Sequence, residues 1–190
     1  MSQKGCKQKI VSIVEAFKNT IAFFNEIEKE GIIEDYALIG GLALSAWIRP
    51  RTTRDVDLVI AVAKNFTWSD IASIVQTRLQ KRIALHKGTP RMHIKEKLSF
   101  VTGQIEVDVI STKDFELAAE AIKKSVAAEV FGKKVKVVTP EYLILLKLLP
   151  LSSQDAIDIK ALSKKADKRR LRALAEKYFL LSKLETVIKL

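Results

Sequence analysis

Cysteine is almost missing from this chain: Cys6 is the only one in 190 residues. A single cysteine forms no internal disulfide and excludes a cysteine-based zinc site within one chain. Histidine is nearly as scarce. His86 and His93 have no cysteine beside them and read as two partly exposed side chains rather than as a metal site. No apolar run approaches the roughly 18 residues that a bilayer span requires. The polar, basic start from Met1 to Lys9 is not followed by the apolar core of a secretory signal. These absences lead us to expect a cytoplasmic protein with no membrane partner. Gly40-Gly41 is not followed by Gly-Lys-Ser/Thr, which excludes a Walker-type phosphate loop. The two histidines suggest no Ser-His-Asp order, and there are no internal repeats or low-complexity segments.

Hydrophobic residues make up 48% of the chain, enough for one core and a small helical appendage but a tight fit for two domains. The formal net charge is +11. This excess suits an anionic partner such as a nucleotide, a nucleic acid or an acidic protein. It equally suits lysines that solvate helix faces, and charge alone leaves the two readings open.

Apolar residues at Ile10, Ile13, Val14, Phe17, Ile21, Phe24 and Ile27 recur at helical spacing, and Gly31 is a natural stop. Tyr36 to Ile39 reads as a buried strand running into Gly40-Gly41, then a short helix from Leu42 to Ile48 that halts near Pro50. Val56 to Val62 is β-branched and strand-like. Ser69 to Lys81 reads as a helix capped by Ser69 or Asp70, and Arg91 to Ile94 as a short strand. In Gln104 to Ile110, Ile105, Val107 and Val109 share one face while Glu106 and Asp108 share the other. Phe115 to Ala128 reads as helix and Lys134 to Val138 as a late strand. Thr139-Pro140-Glu141 carries strong helix-start chemistry. After a break at Pro150 to Ser153 come a helix from Gln154 to about Lys165 and a last helix to the C-terminus.

The chemistry concentrates between Leu38 and Val59. Asp55 and Asp57 are alternate residues on a predicted strand, so both side chains leave the same face, with Cα atoms roughly 6.6 Å apart at a rise of about 3.3 Å per residue. Carboxylates so placed can converge on a pair of divalent ions, and magnesium is a hard ion that takes such oxygen ligands. Upstream, Gly40 and Gly41 sit between a strand and a helix. Without side chains, their backbone can approach a phosphate and offer amides to it. Arg49, Arg51 and Arg54 surround the acidic pair. Arginine forks suit phosphate oxygens, so Arg51 and Arg54 either contact a triphosphate or its acceptor, or balance the carboxylates before a metal arrives. Ser45 reads as packing. Each half of this constellation is common alone; strand, Gly-Gly, helix, basic linker and a strand opening with paired acids are the informative conjunction.

The pattern Gly-Gly-x-Ala-Leu followed by Arg-x-Thr-x-Asp-Val-Asp-Leu resembles the DNA polymerase beta type nucleotidyltransferase superfamily. It is most similar to the AbiEii-like toxin branch, which has the Gly41-to-Asp55 spacing and the lead-in formed here by Arg51, Thr53 and Asp55. The resemblance implies a third carboxylate on a later strand, near the acceptor hydroxyl, and Asp108 matches it, with Glu106 on the same predicted face as the rival. Leu145-Leu146-Lys147-Leu148 and Gln154-Asp155-Ala156-Ile157-Asp158 are similar to a downstream signature of that branch, with Gln154 where a lysine is usual. Lys147 is a lone cation in an apolar helix that either snorkels outward or faces an anion; the resemblance implies a nucleotide phosphate. Asp155 either belongs to that signature or forms a capping box with Ser152. The basic residues Lys164, Lys165, Lys168, Arg169, Arg170 and Arg172 would spread around a helix as a solvated face, or touch a nucleic acid such as tRNA.

The expected fold class is therefore α+β (α/β): a nucleotidyltransferase fold with a mixed central sheet, helices packed on it, and a helical C-terminal extension. Residues 1–138 would form the core and 139–190 the extension, effectively as one domain. The expected activity is magnesium-dependent transfer of a nucleoside monophosphate from a nucleoside triphosphate to an acceptor hydroxyl on tRNA or protein, in a toxin–antitoxin setting. Asp55, Asp57 and Asp108 would be catalytic and hold two magnesium ions; Gly40, Gly41, Arg51, Arg54 and Lys147 would bind the nucleotide. A cognate antitoxin is an expected partner. The alternative is a protein of the same fold that binds nucleotide, nucleic acid or a partner with little or no turnover.

Overall fold

The computed structural model describes residues 11–48, 52–87 and 94–188. The first helix, α1 (Ile13–Lys29), begins after Ser12, whose hydroxyl accepts the Glu15 amide. It thus starts three residues later than the apolar stripe suggested. Phe17, Phe24 and Ile27 on that stripe are fully buried, and burial of a side chain this size stabilises by about 1.5–3 kcal/mol. After Gly31, at φ +73°, the chain enters β1 (Ile33–Ile39), then the five-residue helix α2 (Gly40–Leu44) and β2 (Asp55–Val62). The α2 helix begins on the glycines themselves and is over by Leu44, so residues 45–48 are turn rather than the expected helix.

Helix α3 (Trp68–Leu79) is capped by Thr67, not by Ser69 or Asp70. Asp70 instead closes a capping box by accepting the Thr67 amide, because the third helical position is where an acid reaches back to the cap. Two strands follow that the periodicity did not reveal, β3 (Ile83–Lys87) and β4 (Glu96–Thr102). Of the expected strand Arg91 to Ile94, residues 91–93 lie outside the described residues, and Ile94 precedes β4. Next come β5 (Ile105–Ser111) and α4 (Glu116–Lys123). The helix expected to reach Ala128 stops at Lys123, and the chain turns into β6 (Val126–Val130) and β7 (Lys133–Val137). These two pair as a hairpin in which Val130 faces Lys133. The two loop residues, Phe131 and Gly132, are both at positive φ, the geometry that matches strand twist.

The C-terminal part is helical: α5 (Pro140–Leu148), α6 (Ser153–Leu162), α7 (Lys168–Lys177) and α8 (Leu181–Val187). The single last helix expected from the sequence is two, broken where Phe179 takes φ +57°. Thr139 holds the cap position of α5, yet its hydroxyl donates to the Glu141 carboxylate instead of capping an amide. Glu141 in turn accepts the Asp167 amide at the start of α7.

The seven strands form one mixed sheet in the order β3-β4-β5-β2-β1-β7-β6. Strand β2 runs antiparallel to β1 and parallel to β5. One face of the sheet, carrying Val56, Leu58, Ile60, Val107 and Phe100, is fully or almost fully buried. Helices α1 and α3 pack on it, since Val11, Thr20 and Leu79 line one groove with Phe100. Helices α4 and α5 pack on the opposite face, where Phe115, Ala118, Leu143 and Leu146 share a cavity with Val59 and Ile110. That second face carries the acidic residues.

Candidate active site

The site starts where β1 ends. Gly40 adopts φ +65°, and a Cβ there would stand 1.9 Å from Asp57 Oδ2. No side chain other than hydrogen fits, for both conformational and steric reasons. At Gly41 a Cβ would lie 2.5 Å from Thr53 Oγ1. The Gly41 amide donates a hydrogen bond to the Asp57 carboxylate. The double glycine therefore lets the backbone close over a carboxylate.

Asp57 lies opposite Ile39 on β1 and Asp108 on β5, and Asp108 lies opposite Ser99 on β4. Asp57, Asp108 and Ser99 thus form one row across three strands, on one face of the sheet. In the next row Asp55 stands beside Glu106, and both are exposed. Loss of hydration pushes the Asp57 carboxyl up to about 7; the like charges of Asp108 and Asp55 add to this, while the Gly41 amide and Lys147 oppose it. A carboxyl so placed favours either a proton or a cation.

Asp108 is held from the other side. Lys97 donates to its Oδ2 and Ser99 to its Oδ1, each at 2.5 Å. Neither residue was singled out from the sequence. A Lys-x-Ser repeat on β4 carries no signal until the antiparallel register of β4 and β5 sets it against Asp108.

Behind the carboxylates is a cavity of about 280 Å³, lined by Gly40, Gly41, Thr53, Asp55 and Asp57 on one side and by Phe115, Leu143 and Leu146 among others. Lys147 and Asp155 also line it. Lys147 is 8% exposed, and its ammonium lies 3.0 Å from Asp155 Oδ1 and 2.9 Å from Asp158 Oδ2. It therefore faces anions of its own chain. Asp155 forms the capping box with Ser152 and also pairs with Lys147. Although burial pushes the Asp155 carboxyl up, the hydrogen bonds from Ser152 and Lys147 outweigh it and hold the group below its usual range. Gln154 donates to Asp158.

Arg51, like Arg49 and His93, lies outside the described residues. Arg54 is exposed just before β2 and is not among the residues that line the cavity. The Ser45 hydroxyl donates to the Leu42 carbonyl within its own turn. His86 is exposed on β3. Among the described residues, no three His, Cys, Asp or Glu side chains converge closely enough to hold a metal ion together; Asp108 is engaged by Lys97 and Ser99 instead. Asp55 and Asp57 nevertheless fit a hard divalent ion. Both are oxygen donors on one face, and Asp57 is crowded by like charges that a cation would relieve.

The family profile described as "Nucleotidyl transferase AbiEii toxin, Type IV TA system" matches residues 22–187. No curated protein matches the chain. Among solved structures, an antigenic nucleotidyltransferase-like protein from Paracoccidioides brasiliensis is similar at 20% identity, with a TM-score of 0.53 and coverage of 91% of this chain and 94% of that one. ANT(2'')-Ia in complex with adenylyl-2''-tobramycin is similar at 15% identity, with a TM-score of 0.59 and coverage of 86% and 97%. These likenesses establish the nucleotidyltransferase fold. With the family match running over most of the chain, the protein is a nucleotidyltransferase and belongs to the AbiEii toxin family.

Proposed function

We propose that the protein transfers a nucleoside monophosphate from a nucleoside triphosphate to an acceptor hydroxyl on tRNA or protein, in a magnesium-dependent reaction. The observation that carries this reading is the row of Asp57 and Asp108 on adjacent strands, with Asp55 one row away on the same face, where Asp55 and Asp57 line a cavity together with Gly40 and Gly41. Magnesium ions held by Asp55 and Asp57 would neutralise the triphosphate and stabilise the entering and leaving oxygens. Gly40 and Gly41 bring backbone close to the phosphates, with Lys147, Arg51 and Arg54 as the cations for them. The apolar wall formed by Phe115, Leu143 and Leu146 suits the flat base and keeps water from the reacting phosphorus. Asp108 orients the acceptor hydroxyl and takes its proton as it attacks in line. The product in the similarly folded ANT(2'')-Ia, an adenylylated acceptor, is of the same chemical kind.

The test is magnesium-dependent pyrophosphate release, with each labelled nucleoside triphosphate incubated with cell extract to show which macromolecule becomes labelled. Asp55→Ala and Asp57→Ala should abolish both signals; unchanged release in the double variant sinks the reading.

A second reading, a binding protein of this fold without turnover, is favoured by one observation. Lys147 and Asp108 are both already paired within the chain. Calorimetry with nucleoside triphosphates separates the two: magnesium-dependent binding supports the enzyme, and salt-sensitive RNA binding without it supports the binder. A cytoplasmic setting and a cognate antitoxin complete the proposal; among the described residues no helix is long and apolar enough to cross a membrane.

A further inference from the structure

Lys97 belongs to no element of the proposed mechanism, yet its ammonium lies 2.5 Å from one of its carboxylates. On β4 it lies directly opposite Ile110, which lines the cavity, and two residue pairs along from Asp108 on the same face. Its stem therefore follows the sheet face, and its head reaches diagonally to Asp108 Oδ2. Ser99, 5% exposed, stands directly across from Asp108 and takes the other oxygen. Both oxygens are thus turned toward β4. A carboxylate accepts through each oxygen more than once, but this one is already neutralised by the Lys97 ammonium, so a divalent ion shared with Asp57 would have to compete with that ammonium for it. Asp57, the neighbour of Asp108 in the row, receives no such partner from β4.

We propose that Lys97 is a positioning residue for Asp108. It holds the third carboxylate against β4 in the metal-free protein and is displaced when a divalent cation loads, so that loading and alignment of Asp108 are one event. Lys97 then competes with the metal for a single carboxylate. A partly exposed pair of this kind is weak, which makes the competition reversible. Ser99 keeps its hydrogen bond throughout and prevents Asp108 from swinging freely once the ammonium leaves. This inference rests on the reading of Asp55 and Asp57 as the metal site.

The experiment is a double-mutant cycle read by manganese binding to the nucleotide-free protein, followed by calorimetry or by the spectrum of free Mn²⁺. Lys97→Met should tighten Mn²⁺ binding about 3- to 10-fold, and Lys97→Arg should restore the wild-type affinity. In an Asp108→Asn background the same Lys97→Met change should shift affinity less than about two-fold, because the carboxylate it acts through is gone. Equal tightening in both backgrounds would mean that Lys97 acts only as a distant positive charge and would overturn the proposal, as would unchanged or weaker binding in Lys97→Met. Thermal melts of each variant identify any that fail to fold, and Lys97→Gln, which also removes the ammonium, then carries the comparison. Failure of the underlying reading looks different: Asp55→Asn and Asp57→Asn would leave Mn²⁺ binding intact.

Discussion

At the residue scale the site is built around one substitution that the structure forbids and one charge that it penalises. A methyl group at Gly40 would overlap Asp57 and force a positive φ on a residue with a Cβ. Gly40→Ala should therefore lose transfer activity and cost at least about 1–2 kcal/mol in urea denaturation from backbone conformation alone. The charge is that of Asp57. Its carboxyl is raised from 3.8 to about 7 in the folded protein, mainly by loss of hydration. The folded state thus holds this proton more tightly than the unfolded chain does, and stability falls as pH rises between those two values. Asp57→Asn removes that slope. The difference in Tm between Asp57→Asn and wild type, both metal-free, should be small at pH 4 and grow in favour of the variant up to about pH 7, then level off. A difference that shrinks over that range would reverse the sign argued here.

At the scale of elements, local chemistry decides where the chain turns. Ser152 caps α6 and Asp155 closes its capping box, so Ser152→Ala should cost about 1 kcal/mol of stability with little loss of activity. Asp155→Ala removes the same box and also takes a carboxylate from Lys147; it should lower both stability and nucleotide affinity, and comparing the two variants separates capping from the site. Gly132 tests the β6–β7 hairpin. It adopts φ +72° and a Cβ there would meet nothing within 4 Å, so Gly132→Ala should cost about 1–2 kcal/mol by backbone conformation alone. The strands around this hairpin were the least legible in the sequence. Val126 to Val130 contains alanines and a glutamate that suit a helix, and β3 is an edge strand exposed along nearly its whole length. Neither shows the apolar alternation of β5, because β3 has no buried residue and β6 buries only Val130, so little of a core face demands it.

At the scale of the whole molecule, one sheet carries helices on both faces. Helices α4 and α5 cover the acidic face, α5 packs on α6 and α7, and the Lys177 and Tyr178 side chains at the end of α7 reach back to Glu120 on α4. We read residues 139–190 as an extension that completes this layer. Removing them would uncover Phe115, Ala118, Val59 and Ile110 on the acidic face of the sheet. The shortened chain should then lose the single cooperative unfolding transition expected of the full protein, as followed by circular dichroism against temperature, and should expose apolar surface to a hydrophobic dye. Retention of one sharp transition would place the core within residues 1–138 alone.

Asp55, Asp57 and the double glycine were legible in the sequence because their geometry is local. Alternation on a strand places two side chains on one face, and a glycine pair at a strand end marks close backbone approach, whatever the rest of the chain does. The face of Asp108 was legible for the same reason. What touches these groups was not. The pairing of Asp108 with Lys97 and Ser99, of Lys147 with Asp155 and Asp158, and of the Gly41 amide with Asp57 depends on strand register and helix packing between separate elements. Only the tertiary structure sets those registers, and with them which carboxylate is paired and which is crowded by like charges.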